Sequence, residues 1–274
     1  AAPAAASDIQ HILRQTSGGA GATPVPTGMV AIPAGNVIIG MPVERVEVVC
    51  QKDPVPMKDV LAETPRRTVP VGEFLIDITE VTNLQWKVYL DATGRKPSAT
   101  LIEFNWPDSE VPAGQELYPV TNVNIPEIRD YLAWCGKRLP TEEEGGRAAR
   151  GDDDRDYPWG SKWDDTLCQS GVTIPQQATA VGSFPAGASP FGVLDMTGNV
   201  FEWVDSPFAA FPGFQPMSFK QGKKSLQLMP EFNSTLRVIK GGGFSHGPTY
   251  SRIDVRIGES AVASDDVLGF RAAR

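Results

Sequence analysis

The stretch that decides the reading is Gly192-Val193-Leu194-Asp195-Met196-Thr197-Gly198-Asn199-Val200-Phe201-Glu202-Trp203-Val204-Asp205. Two carboxylates, Asp195 and Glu202, bracket a Gly198-Asn199 pair, and the chain then runs into the apolar Val200, Phe201, Trp203 and Val204. Gly and Asn take left-handed backbone angles readily, so a sharp turn is expected at the mouth of a buried segment. A turn that re-aims backbone carbonyls while carrying two hard carboxylates can enclose a calcium ion. The same residues equally suit a tight core turn whose acids pair with arginine.

Seven further blocks surround this one. They are Met29-Val30-Ala31-Ile32-Pro33-Ala34-Gly35, Ile76-Asp77-Ile78-Thr79-Glu80-Val81-Thr82-Asn83 and Tyr118-Pro119-Val120-Thr121-Asn122-Val123 in the first half. Gly136-Lys137-Arg138-Leu139-Pro140-Thr141-Glu142, Tyr157-Pro158-Trp159-Gly160, Lys240-Gly241-Gly242-Gly243-Phe244 and Gly269-Phe270-Arg271 complete the set. In this order they resemble the formylglycine-generating enzyme, or sulfatase-modifying-factor, family over residues 29–274. The resemblance implies an α+β fold, the family's variant of the C-type-lectin fold, with short strands and few helices among long ordered loops. It also implies a structural calcium held by Asp195, Glu202 and the carbonyls of Gly198 and Val200. A second family calcium site lies just after Trp163, but its usual Asn is replaced here by Cys168 or Gln169.

The catalytic chemistry does not carry over with the fold. Copper-dependent members bind Cu(I) through two cysteines of the C-terminal block, and aligning the Gly-Gly-x-Phe motif puts these at His246 and Ser251. A soft Cu(I) ion takes thiolates, which one imidazole and one hydroxyl do not replace. Gly243 also stands where the family usually has Ser. No copper is therefore expected, and formylglycine generation is not.

Composition narrows the remaining classes. The 274-residue chain has a formal net charge of −8, a field that repels nucleic acid and anionic membrane surfaces. No apolar run reaches transmembrane length. Gly 27 and Pro 24 exceed what a helical bundle tolerates. Three cysteines, Cys50, Cys135 and Cys168, are an odd number with no Cys-x-x-Cys spacing. His11 and His246 are the two histidines, too few for a zinc or iron site built from histidine, including the three-histidine iron site of the related sulfoxide synthases. The small residues of Ala1 to Ser7 resemble the new N-terminus that a signal peptidase leaves, so an exported protein, periplasmic or secreted, is expected.

Along the chain, residues 1–28 read as a flexible arm carrying a short amphipathic helix with Ile9, Ile12 and Leu13 on one face. Residues 29–274 form the family-like domain, with 41–63 and 206–235 as an insertion and a long loop. Met29 to Gly40 is an expected strand broken at Pro33 and Gly35. Thr82-Asn83-Leu84-Gln85 has capping-box form and starts a helix that Gly94 stops. Asn124 and Pro126 open a second helix with an Ile128, Tyr131, Leu132, Cys135 stripe, and Thr141 caps a third. Inside that third helix, Gly145-Gly146 replaces the family's Trp-Glu, which removes a large core aromatic.

Two surfaces are candidates for function. Arg252-Ile253-Asp254-Val255-Arg256-Ile257 alternates like a strand, with its charged row either an internal salt-bridge ladder or an anion-reading face. Beside it, His246 and Glu259 are acid/base candidates, with Tyr250, Ser251 and Arg252 lining a cleft. The second surface is the loop carrying Phe208, Phe211 and Phe214, an exposed aromatic cluster suited to a partner. Expected partners are another protein or a peptide-like substrate. The sequence favours a non-catalytic, calcium-stabilised binding or assembly subunit; the alternative is a cysteine-independent modifying oxidase like the periplasmic branch that matures pyoverdine.

Overall fold

The caps predicted from sequence set the helix boundaries in the computed structural model, which describes residues 26–52, 55–173, 175–221 and 224–274. The expected helix on residues 1–28 lies outside the described residues up to position 25. Strands β1 (Met29–Ile32) and β2 (Gly35–Ile39) replace a single long strand, broken at Pro33 as expected. Between β2 and β3 (Arg67–Val71) the chain folds two helices, α1 (Arg45–Lys52) and α2 (Met57–Leu61). The 41–63 segment, expected as an insertion, folds as this helical pair. Met41, Val46, Val49, Val60 and Leu61 form an apolar cluster of their own, because the helical spacing of these valines and leucines gives each helix a buried face.

Strand β4 (Phe74–Asp77) pairs antiparallel with β1, and β2 pairs antiparallel with β3. Helix α3 (Asn83–Thr93) begins at a complete Thr82/Gln85 capping box and ends at Gly94 in the left-handed region, φ 68°. A short α4 (Ala99–Phe104) comes next. Helix α5 (Ile125–Cys135) has its own Asn124/Glu127 capping box, with Ile128, Tyr131 and Leu132 buried and Cys135 at the edge of the same core. Helix α6 (Glu142–Arg150) is capped by Thr141 with Glu144 reaching back.

The main sheet is four-stranded in the order β10–β5–β8–β9: β5 is Phe201–Phe208, β8 Asn233–Lys240, β9 Ile257–Glu259 and β10 Leu268–Gly269. β10 runs parallel to β5, and the other neighbours are antiparallel. A hairpin, β6 (Met217–Gln221) with β7 (Lys224–Leu228), occupies much of the expected 206–235 loop. The main core lies between this sheet and helices α3 and α5, where Trp86, Tyr89, Tyr131 and Phe270 pack with ring centroids 5.3–6.0 Å apart where they touch and Trp203 is buried in the same cluster. The C-terminal segment closes the structure: Leu75 and Arg274 exchange backbone hydrogen bonds at 3.0 and 2.9 Å.

Candidate functional site

The central turn is built as its sequence requires. Asp195, Gly198 and Asn199 all sit in the left-handed region, with φ of 54°, 80° and 56°. A side chain at 198 would meet the Gln169 carbonyl oxygen at 2.2 Å, so only glycine fits. Asn199 N donates to the Gln169 carbonyl, its own carbonyl accepts from Phe244 N, and Gly198 N donates to the Gly241 carbonyl, each at 2.8 Å. The turn thereby fixes the loop that carries Phe244 and His246.

Its two acids have different partners. Both oxygens of Glu202 lie 2.6 Å from Arg271, which is fully buried and donates further to the carbonyls of Asp77, Ile78 and Leu194. Asp195 accepts from Gly182 N at 2.6 Å and faces Glu80. Glu80 accepts from Asn199 Nδ2 at 2.9 Å through one oxygen; its other oxygen is buried with no donor. Burial, and then the charge of Asp195, push the Glu80 carboxyl well above its ordinary range. Burial likewise raises Asp195. Two acceptors facing each other away from water need a proton or a cation between them. The donor set therefore fits a hard cation at Asp195 and the orphaned Glu80 oxygen, whereas Glu202 is already neutralised by Arg271. The second expected ion position has little to offer: Cys168 is buried, its thiol pushed up to about 12 by burial, and Gln169 donates to the carbonyls of Pro175 and Gln177.

The Arg252–Ile257 segment is not a strand. It is a run of turns leading into β9, and Arg252 through Arg256 are all buried. The charged row turns inward because each member meets a partner from another element. Arg252 grips Glu63 with two bonds of 2.7 and 2.8 Å, Arg150 lies 2.9 Å from Asp254, and Arg256 grips Glu142 at 2.9 and 3.0 Å. The arginine–acid row is internal, as the salt-bridge alternative requires, but its partners come from distant sequence. An anion-reading face is excluded for these buried groups.

This also removes part of the expected cleft. Ser251 is 0% exposed and donates to the Gly247 carbonyl at 3.0 Å, so neither it nor Arg252 lines an open surface. His246 is half-buried, edge-on to Phe201 at 4.9 Å and to Tyr250 at 5.5 Å, with Ser245 Oγ 3.1 Å from Nδ1. Burial lowers its imidazolium below the ordinary range, and Asp265 opposes that shift. Glu259 is on β9 opposite Arg237 and accepts from Ser260 N at 2.7 Å. The structure does not bring it to His246; the acid whose charge reaches the imidazole is Asp265. Sequence reasoning missed Asp265 because it lies in a loop without periodicity.

The aromatic loop folds back on the body. Phe208 and Phe211 are buried, with the Arg256 guanidinium 5.3 and 4.0 Å from their ring centres, and Phe214 packs edge-on to Phe232 at 5.0 Å. Phe208 and Phe211 are core residues packed around Arg256 and Phe214 is partly buried beside them, so the three do not form an exposed contact patch.

A wide cleft of about 480 Å³ opens elsewhere, between the α4 end and the loop at residues 177–178, with Phe244 and Asp266 on its far wall. Its floor is a closed network: Trp106 Nε1 donates to Asn83 Oδ1 at 3.1 Å, Asn83 Nδ2 to the Gln115 carbonyl at 2.9 Å and Asn105 Nδ2 to Thr121 Oγ1 at 3.1 Å. Asn122 Nδ2 also donates to Asn105 Oδ1. Phe104 stands on the rim, 64% exposed. Sequence reasoning did not single these residues out as a site: Asn83, Thr121 and Asn122 lie in blocks that carry the family resemblance and were read as marks of the fold.

Comparison with known proteins bears on the fold and on function separately. The sulfatase-modifying factor enzyme 1-like domain model matches residues 17–274. Hercynine oxygenase of Mycobacterium tuberculosis is 32% identical over 224 residues, covering 71% of this chain and 51% of that protein. The inactive C-alpha-formylglycine-generating enzyme 2 of Bos taurus is 34% identical over 173 residues, 57% of this chain and 50% of that protein. The chain thus spans about half the length of these curated relatives. The structure of PvdO from Pseudomonas aeruginosa superposes with a TM-score of 0.65 at 25% identity, covering 90% of this chain and 93% of that one.

Proposed function

The chain belongs to the sulfatase-modifying factor enzyme 1-like domain family, and within it we propose that this protein is a non-catalytic binding or assembly module. The observation that carries the proposal is the state of the two copper positions. Ser251 is sealed in the interior with its hydroxyl bonded to Gly247, and His246 is wedged against Phe201 and Tyr250. Cys50, Cys135 and Cys168 are free thiols that lie outside the C-terminal block, and among the described residues no group of three or more His, Cys, Asp or Glu side chains gathers as a metal site. A scaffold of this rigidity with an open, hydrogen-bonding cleft is suited to recognition. The partner-facing surface we assign is accordingly the cleft under Phe104, in place of the buried aromatic loop.

Calcium enters the proposal as a stabilising ion at Asp195. It would neutralise Asp195 and the unpaired Glu80 oxygen, and its contribution would be structural.

A second reading, a copper-independent modifying enzyme of the PvdO type, is favoured by the likeness to that protein and by a half-buried His246 whose imidazole feels the charge of Asp265. The two separate in one experiment. Immobilised protein is used to capture partners from extract, and any captured peptide is analysed for oxidation. The binding reading predicts that Phe104→Ala weakens capture while His246→Ala leaves it intact and no oxidised product forms. Oxidation of a captured peptide that is lost with His246→Ala would replace it with the enzyme reading.

A further inference from the structure

We infer that the cleft beneath Phe104 takes a neutral saccharide, an inference that rests on the binding-module reading and gives that module a ligand class. At about 480 Å³ the space falls within the range of ligand pockets, roughly 300–1,000 Å³. Its floor is pre-organised, because the Trp106–Asn83 and Asn105–Asn122 hydrogen bonds hold the amides in place before any ligand arrives.

The groups left for a ligand are of a particular kind. Gln115 and Gln177 are exposed amides, Tyr118 presents a half-buried phenol, and Asp266 supplies a carboxyl. Together they offer donors and acceptors of mixed sense, suited to hydroxyl groups that both give and take hydrogen bonds. Phe104 and Phe244 add flat apolar faces on which a ring of C–H groups can lie. Among the described lining residues there is no Arg or Lys, and the one charged side chain is acidic. Phosphorylated, sulfated or carboxylated ligands would meet no counter-charge there. Nor does any lining residue belong to a strand, so an extended peptide finds no sheet edge with which to pair its backbone. A polar, uncharged, ring-shaped molecule answers all of these conditions.

The test titrates the full chain by calorimetry with cellotetraose, maltotetraose and chitotetraose. Binding of at least one at millimolar concentration or below is expected, and Phe104→Ala should weaken it about tenfold, the scale of one lost aromatic contact. Gln177→Ala, a surface change that leaves the fold intact, should weaken it as well. The inference is overturned if none of the three binds at high millimolar concentration, or if binding is unchanged in both variants. Selection of a peptide from a random library that binds wild type and not Phe104→Ala would also overturn it, while upholding the binding-module reading. The two failures are thereby distinguishable.

Discussion

At Asp195 and Glu202, seven residues apart on one turn, identical chemistry meets two environments. Arg271 takes both oxygens of Glu202 in a buried bidentate pair, and such a pair is costly to break, about 3–5 kcal/mol when one partner is removed. Asp195 has no such cation and faces Glu80, whose second oxygen lacks a donor. An ion bound only to the folded state stabilises it by mass action. Chelation is therefore expected to lower the melting temperature of the wild-type protein by roughly 2–4 °C for each kcal/mol of binding energy. Asp195→Asn should abolish that difference between chelated and calcium-loaded samples, whereas a wild-type melting curve indifferent to chelator would rule out the ion. The turn and its acids were legible in the sequence because Gly-Asn geometry is local. Their partners were not, since Arg271 is 69 positions beyond Glu202 and Asn199 lies 119 from Glu80.

Among the elements, helices read from local caps came out at their expected boundaries, whereas the one strand read from alternation did not form. Period-two patterning marks a strand only where one face meets water. Arg252, Asp254 and Arg256 are instead buried against Glu63, Arg150 and Glu142, so both sides of the segment are interior and the alternation carries no surface. The Gly145-Gly146 departure on α6 has a clear consequence in packing. Gly145 lines a small cavity of about 30 Å³ with Val204, Ile253 and Lys240, and an added Cβ there comes no nearer than 3.9 Å to Val204. At Gly146 the same Cβ would fall 2.5 Å from Ile39 Cδ1. Gly145→Ala should accordingly raise stability by about 1 kcal/mol, from helix propensity and partial filling of the void, as read from urea denaturation. Gly146→Ala should gain less or lose stability. An outcome with Gly145→Ala destabilising would mean that the cavity is not the space left by the missing family tryptophan.

For the whole molecule, the family and the α+β fold were legible from motif order, and the placement of function was not. The 41–63 segment contributes a helical pair with its own buried cluster, clamped to the body through Glu63 and Arg252. Phe208 and Phe211, which read as exposed, are consumed by packing around Arg256. The open cleft joins the α4 end to parts of three family blocks, at Asn83, Tyr118 to Thr121 and Phe244, which the sequence marks as fold and not as one surface. The family resemblance implies that the copper cysteines are replaced by His246 and Ser251, and Ser251 is buried. This domain, on our proposal, has kept the family scaffold without its copper chemistry. Titration of the purified protein with Cu(I) against a competing thiol-type chelator tests that proposal most directly, because two-coordinate thiolate ligation has no substitute in an imidazole and a sealed hydroxyl. No stoichiometric tight site is expected. Stoichiometric Cu(I) binding that outcompetes the chelator and disappears with His246→Ala or Ser251→Ala would contradict it.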